Sequence, residues 1–297
     1  MYYFLYPFLY LLSLLPWRII YLLSDFFYLL VYYIIGYRKK VVAANLLIAF
    51  PDKTISERKK IEREFYHQLI DTFLEMIKMI SITREEMEKR FRCNYELVNN
   101  LYESGQNVQI HGGHFFNWEY VNLAYGANLN YPFLGVYAPL SNKAFDRIIL
   151  NMRSRFKSIM ISTAEFRTKF RQYASERYAL ALAADQNPRT MHNAYWLSFM
   201  GKLTPFVTGP ESGAKQKNTA IVFASFYPVK RGYYQSDLLL YTTKPNEIPP
   251  GKITLDYKSF IEREIRKRPA NYLWSHRRWK WNFDPTIHQD ALIQEAE

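Results

Sequence analysis

The sequence predicts an α/β fold: a largely parallel central sheet flanked by helices, with a helical membrane anchor at the N-terminus. Three observations carry this. From about residue 107, short extended runs alternate with helical stretches, as when strands are joined by crossover helices. Residues 1–37 are almost wholly apolar and hold one acidic residue, Asp25, and one basic residue, Arg18. At 297 residues the chain is long enough to bury a sizeable core, as one domain or as one domain with an appendage.

Taken in order, Pro16-Trp17-Arg18 divides the N-terminal segment into two apolar stretches. The second, 19–36, is about the minimum length for a transmembrane helix. Each stretch carries a polar stripe at helical spacing: Tyr3, Tyr6, Tyr10 and Ser13 in the first, and Tyr21, Ser24, Asp25, Tyr28 and Tyr32 in the second. Such helices lie in the interface, form a shallow hairpin, or span with the stripe against protein. No basic run or small-residue cleavage site marks a signal peptide, so an uncleaved anchor is expected. Arg38-Lys39-Lys40 follows at once and favours the cytoplasmic side for what comes next. The expected organisation is an anchor at 1–37 and a cytosol-facing domain at 38–297. That domain has a helical part at 38–100 and an α/β core at 101–297.

Residues 54–80 read as an amphipathic helix, with Thr54 and Glu57 forming a capping box. Thr83 with Glu86 opens another helix. Strands are expected at 108–111, 132–137, 158–162, 179–184, 220–226 and 237–243. Helices are expected at 117–125, 141–156, 163–176, 210–217 and 254–267. Residues at the carboxyl ends of parallel strands build the site in such sheets. His114 and Asp185 both follow predicted strands.

Composition narrows the partners. The formal net charge is +12, which favours acidic partners: nucleic acid, anionic lipid or an acidic protein. No nucleic-acid module is visible, so anionic lipid is the better reading beside an apolar N-terminus. The 25 tyrosines suit a membrane interface, and equally an aromatic core. Cys93 is the single cysteine, so no intrachain disulfide forms. The six histidines show no metal-ligand spacing, and no metal is expected.

The segment from His111 to Glu119 (HGGHFFNWE) says most about chemistry. Two glycines allow a tight turn after a strand, and the stretch from Asn117 reads as a helix. His114 then sits at a strand-to-helix junction, with Glu119 in the first helical turn. A neutral imidazole takes a proton from an alcohol, and a carboxylate fixes its tautomer. A turn histidine beside a surface glutamate is the bland alternative.

This segment resembles the HxxxxE motif of the lipid A biosynthesis acyltransferases, cousins of the glycerophosphate acyltransferases with their HxxxxD motif. The resemblance extends in family order through Arg38-Lys39-Lys40 to Asn45-Leu46 and Phe50-Pro51. It continues in Ala184-Asp185-Gln186-Asn187-Pro188, in Thr204-Pro205-Phe206 with Thr208-Gly209-Pro210-Glu211, in Lys230 to Tyr234 and in Leu273 to Lys280. One departure is Phe116, where the family more often has glycine.

The resemblance implies a glycerophosphate-acyltransferase-like layered fold. It implies an O-acyltransferase that moves a fatty acyl chain from acyl carrier protein or coenzyme A to a hydroxyl of a lipid A precursor. The expected setting is the bacterial inner membrane, with the catalytic domain on its cytoplasmic face. His114 is the expected general base and Glu119 its orienting partner. Backbone N–H groups of the turn and the following helix are candidate oxyanion donors. No cofactor is implied beyond the acyl co-substrate. Asp185 and Gln186 are expected in the site, with a helix cap or loop hydrogen bond as the alternative. Asn117 is expected to hold the histidine loop or cap a helix. Glu211 is expected to bind substrate or to favour a helix dipole. Arg153, Arg155 and Lys157 form a basic cluster suited to a lipid phosphate, to an acidic carrier, or simply to a solvated face. The mixed aromatic and basic run Trp274 to Lys280 suits a membrane surface, or a core with its tryptophans packed inside. Other readings stay open: the same chemistry on an aminolipid or lysophospholipid, an idle protein that binds anionic lipid, and a lipid hydrolase.

Overall fold

A computed structural model describes residues 1–293 of the chain. Its centre is a seven-stranded sheet in the order β1-β9-β8-β2-β5-β3-β4. The strands are β1 (Phe91–Cys93), β2 (Val108–Gly112), β3 (Phe133–Tyr137), β4 (Ile159–Ser162), β5 (Ala179–Ala183), β8 (Ala220–Lys230) and β9 (Tyr233–Thr242). Every pairing is parallel except the β8–β9 hairpin. A separate hairpin, β6 (Ala194–Phe199) with β7 (Lys202–Val207), lies between β5 and β8 in sequence.

Helices α7 (Trp118–Asn128) and α8 (Lys143–Arg153) follow β2 and β3, and α9 (Phe166–Tyr173) follows β4. Helix α10 (Gly209–Lys217) precedes β8, and α11 (Lys252–Lys267) follows β9. The strands and helices expected from alternation all form, with ends moved by a few residues. The short β1 and the β6–β7 hairpin were not expected. Three residues of β1 carry too little pattern to read, and the hairpin turns on Met200-Gly201, both at positive φ, without a strong turn signature.

The helical part comprises α3 (Lys39–Ala49), α4 (Ile55–Lys78), α5 (Arg84–Arg90) and α6 (Glu96–Glu103). The expected capping box opens α4: Thr54 Oγ1 accepts from Glu57 N, and Glu57 Oε2 accepts from Thr54 N. Thr83 caps α5 by accepting from Glu86 N, but the expected second box does not close, because the Glu86 carboxylate accepts from Arg90 instead.

The N-terminal segment forms α1 (Tyr2–Leu14) and α2 (Trp17–Leu29), the latter continued by a wider turn to Ile35. Residues Trp17–Ile35 are long and apolar enough to cross a membrane. The polar stripe of α2, however, is bonded to protein. Tyr21 donates to Glu75 Oε1 at 2.8 Å, and Ser24 donates to Asp71 Oδ1 at 2.5 Å. Arg231 bridges Asp25 and Asp71, and the Tyr28 ring stacks on His67 at 4.1 Å. The opposite face, including Leu22, Phe26 and Leu29, is exposed, as are Phe4, Phe8 and Leu11 of α1.

The distant motifs meet in the core. Asn45 donates to the carbonyls of Trp274 and His276, and Arg38 donates to that of Ser275. Trp274 and Trp279 are buried, and Arg278 lies buried over the Phe206 ring. The Trp274–Lys280 run is therefore mostly core, not a membrane-facing surface.

Candidate active site

Strands β2 and β5 are paired neighbours with Gly112 opposite Ala183. His114 and Asp185 each lie two residues beyond those strand ends, so the register alone brings them together. The His114 ring Nδ1 and Asp185 Oδ1 are 2.7 Å apart, and the backbone N–H of His114 donates to Asp185 Oδ2 at 3.0 Å. A carboxylate only accepts, so this contact fixes the proton on Nδ1 and leaves Nε2 with its lone pair free. Among the described residues Nε2 has no hydrogen-bond partner. The His114 side chain keeps 28% exposure while Asp185 is fully enclosed.

Burial alone would lower the histidine pKa. The Asp185 charge and hydrogen bond outweigh it and raise the pKa above the usual 6.5. Burial pushes Asp185 the other way, but His114 and the backbone donor hold its pKa below the usual carboxylate value. Both partners thus favour the charged pair.

The turn is shaped by its neighbours. A Cβ on Gly113 would stand 2.8 Å from Ile261 Cδ1 and 2.9 Å from the Phe115 ring, so any larger residue there would have to push both side chains aside. Asn271 accepts from Phe116 N and donates to the Phe226 carbonyl, tying the turn to β8. Tyr257 bonds the Gly112 carbonyl and the Ala184 N–H, which bridges the two strand ends. Phe116, the departure from the family pattern, packs against Phe65 and Trp118 and lines neither opening described below.

Several expected roles are corrected. Glu119 does not orient His114. Its carboxylate is gripped by Arg153, with Nε to Oε2 at 2.8 Å and Nη2 on Oε1, and also by the Trp118 indole N–H. Glu119 lies on α7 and turns toward α8, whereas His114 turns toward β5. Partial burial lowers the pKa of the half-buried Arg153, but the Glu119 carboxylate outweighs it and holds that pKa above its usual value.

Arg153 is therefore spent inside the site, and Arg155 donates to the Met79 carbonyl, so with Lys157 they do not form a free phosphate-gripping or carrier-docking cluster. Glu211 is buried. It accepts from the N–H groups of Gly251 and Thr254 and from the Thr254 hydroxyl, so its carboxylate is engaged in capping α11. Asn117 is also fully buried. Its Oδ1 caps α7 by accepting from Glu119 N, and its Nδ2 donates to Glu75, so both ends of the amide are engaged in holding the turn. The N–H groups of His114, Phe115, Phe116 and Glu119, the expected oxyanion donors, all have protein acceptors in this structure. Gln186 does face the site, in the second of two openings.

The first opening is a cavity of about 330 Å³ between α7, α8 and the sheet. Its floor is a registered row of small side chains, Gly112, Gly135, Ala181, Ala183 and Ala224. Apolar side chains line its depth, and His114, Glu119 and Arg153 stand in its wall. The second is a cleft of about 990 Å³ on the opposite face of the sheet, under α9 and α10, and it also reaches His114.

A sequence model of the bacterial lipid A biosynthesis acyltransferases matches residues 1–281. The chain belongs to that family. It is 23% identical over 261 residues to the lipid A biosynthesis palmitoleoyltransferase of Escherichia coli K12. The alignment covers 82% of this chain and 79% of that protein. A lipid A biosynthesis acyltransferase of Shigella flexneri matches to the same extent. Membership establishes acyl transfer as the activity class, and the match runs through α1 and α2 as well as the α/β core.

Glu75 was invisible from the sequence. It sits on α4 as one polar residue among many, yet is fully buried and accepts from Tyr21, Asn117 and Tyr234. Burial pushes its pKa up to about 7 against those three donors.

Proposed function

We propose that this acyltransferase moves a fatty acyl group from a thioester, acyl carrier protein or coenzyme A, to a hydroxyl of a lipid A precursor. The observation that carries the reading is the His114–Asp185 pair at the head of an apolar cavity. His114 Nε2 takes the hydroxyl proton as the oxygen attacks the thioester carbonyl carbon. Asp185 stabilises the imidazolium so formed. The tetrahedral intermediate then collapses, the C–S bond breaks, and the imidazolium returns its proton to the departing sulfur. Ester and free thiol are the products, and no acyl-enzyme is needed. The cavity floored by glycine and alanine suits a hydrocarbon chain, because it buries apolar surface and offers few polar groups.

The same reading places the protein on the bacterial inner membrane, with the catalytic body on the cytoplasmic side. A helix bonded to α4 along one face cannot be ringed by lipid, which favours α1 and α2 lying half-embedded rather than α2 spanning. Each exposed Phe or Leu of that face contributes about 1.5–3 kcal/mol when fully buried in an apolar medium.

The test is mass spectrometry of lipid A and total lipid from cells with and without the gene. Lipid A lighter by one acyl chain in the deletion supports the acceptor. Unchanged lipid A with an altered aminolipid or lysophospholipid would replace it.

A further inference from the structure

We propose that the cleft under α9 and α10 admits the thioester arm of a soluble, acidic carrier protein, which docks on the cations at its rim. This rests on the acyl-transfer reading above and adds the side from which the donor arrives.

The first argument is topological. Ile110 and Ala181 face the cavity under α7 and α8, while Gln109 and Leu180 alternate with them and face the cleft; toward the strand ends Leu182 and Ala183 border both openings. His114, just past the strand ends, borders both. A thioester arm lying in the cleft reaches its imidazole from one face of the sheet, with the acyl chain it carries passing on into the cavity and the acceptor coming to the cavity's mouth.

The second argument is the chemistry of the rims. The cavity mouth carries the exposed Leu140, and Phe145 is exposed on the adjoining helix α8. That helix also packs against the anchor: Arg147 lies 4.3 Å from the Tyr2 ring, and Asn151 donates to the Tyr2 hydroxyl. The cavity thus opens beside the apolar surface, where a lipid arrives. The cleft is rimmed instead by Arg167 and Arg171 of α9 and Lys217 of α10, all exposed. None of the three has an ion-pair or hydrogen-bond partner among the described residues. Neighbouring cations do: Lys169 pairs with Glu165 and Lys215 with Glu211. An acidic protein surface is the complement of such a rim.

The third argument is shape. The cleft follows β5 from Tyr178 at its amino end to Gln186 beyond its carboxyl end. Five strand residues alone extend about 16 Å. A slender arm fits this course, reaching His114 while the body that bears it stays outside. Helix α9 has no buried side chain and rests on the sheet through the half-buried Phe166 and Phe170, so it covers the cleft without sealing it.

The test is steady-state kinetics of the full-length protein in detergent or lipid, comparing wild type, Arg167→Glu/Arg171→Glu and Lys217→Glu. These side chains are exposed and on two different helices, so loss of fold in one variant leaves the other to decide. Expected is a KM for acyl carrier protein raised about tenfold or more, with a weaker dependence on salt. The KM for the lipid acceptor and kcat at saturation should stay within about twofold, since the reversed charges lie away from the reacting atoms. Unchanged carrier KM, or a shift in the acceptor's KM instead, overturns the proposal and makes the rim a solvated face or a lipid-phosphate site. A KM for acyl-CoA that climbs as steeply as that for the carrier overturns the carrier as the docked partner. A wild-type protein that transfers no acyl group from either thioester would instead remove the acyl-transfer reading itself.

Discussion

Asp185 commits one oxygen to the ring of His114 and the other to its backbone, so it fixes the tautomer and the position of the base together. His114→Ala should keep the fold and lower turnover by about two to four orders of magnitude. Asp185→Asn should lower kcat and also move the acid limb of the pH–rate profile to lower pH. The sign follows from the base having to be neutral: Asp185 holds the His114 pKa above 6.5, and without that charge the opposing effect of burial is unanswered. An acid limb that does not move, measured from pH 5 to 9, would remove Asp185 as the partner. Arg153→Met should instead act through stability. It strands the buried Glu119 carboxylate, at a cost of about 3–5 kcal/mol read as a drop in denaturant midpoint. His114 and Asp185 were both legible as candidates, because each follows a strand and sits in a recognisable motif. Their pairing was not. A spacing of five suggested Glu119, whereas the contact depends on which strands are neighbours, and that is a property of the sheet order.

Among the elements, β2 to β5 were read to within a residue at each end because they alternate with helices, whereas the β8–β9 hairpin runs four residues further toward its turn than expected. The β6–β7 hairpin and β1 were missed for want of length and turn chemistry. Glu75 was missed because burial of one carboxylate on a charged helix leaves no trace in local pattern. Its raised pKa has a consequence for stability. From the usual 4.5 to about 7 the folded state holds a proton that the unfolded state has lost. Stability should therefore fall as pH rises through that window and level off above about 7. Glu75→Gln should flatten this slope, which melting temperatures of the two proteins between pH 4.5 and 8 would show. A slope unchanged by the substitution would assign it to other groups. The sheet face beneath α7 and α8 gives a second prediction at this scale. Ala181→Leu projects a larger side chain into the cavity, so the preferred acyl chain should shorten by several carbons with little change in kcat on the short chain. Unaltered chain preference in a donor series would show that the acyl chain lies elsewhere.

At the scale of the molecule, the apolar N-terminus and the α/β body were legible as two parts, but their union was not. The polar stripe of α2 was visible as a stripe; that it faces α4 depends on tertiary packing. Removing residues 1–37 would take Tyr21 from Glu75, Ser24 from Asp71 and Asp25 from Arg231. The truncated chain should lose stability or aggregate, and not simply leave the membrane as an intact soluble enzyme. Leu22→Ser/Phe26→Ser, on the exposed face, should do the reverse: membrane binding weakens in flotation assays while activity in detergent persists. The bonding of α2 to the body has a kinetic consequence on the proposed footing. A catalytic unit on a limp tether tumbles and samples every orientation, whereas one fastened at three levels along its anchoring helix neither rolls nor tilts. The search for the acceptor then collapses to two dimensions. Its effective concentration becomes a mole fraction within the leaflet, so spreading the same acceptor through inert lipid should slow the reaction, while diluting the vesicles in buffer should leave the rate per enzyme almost untouched.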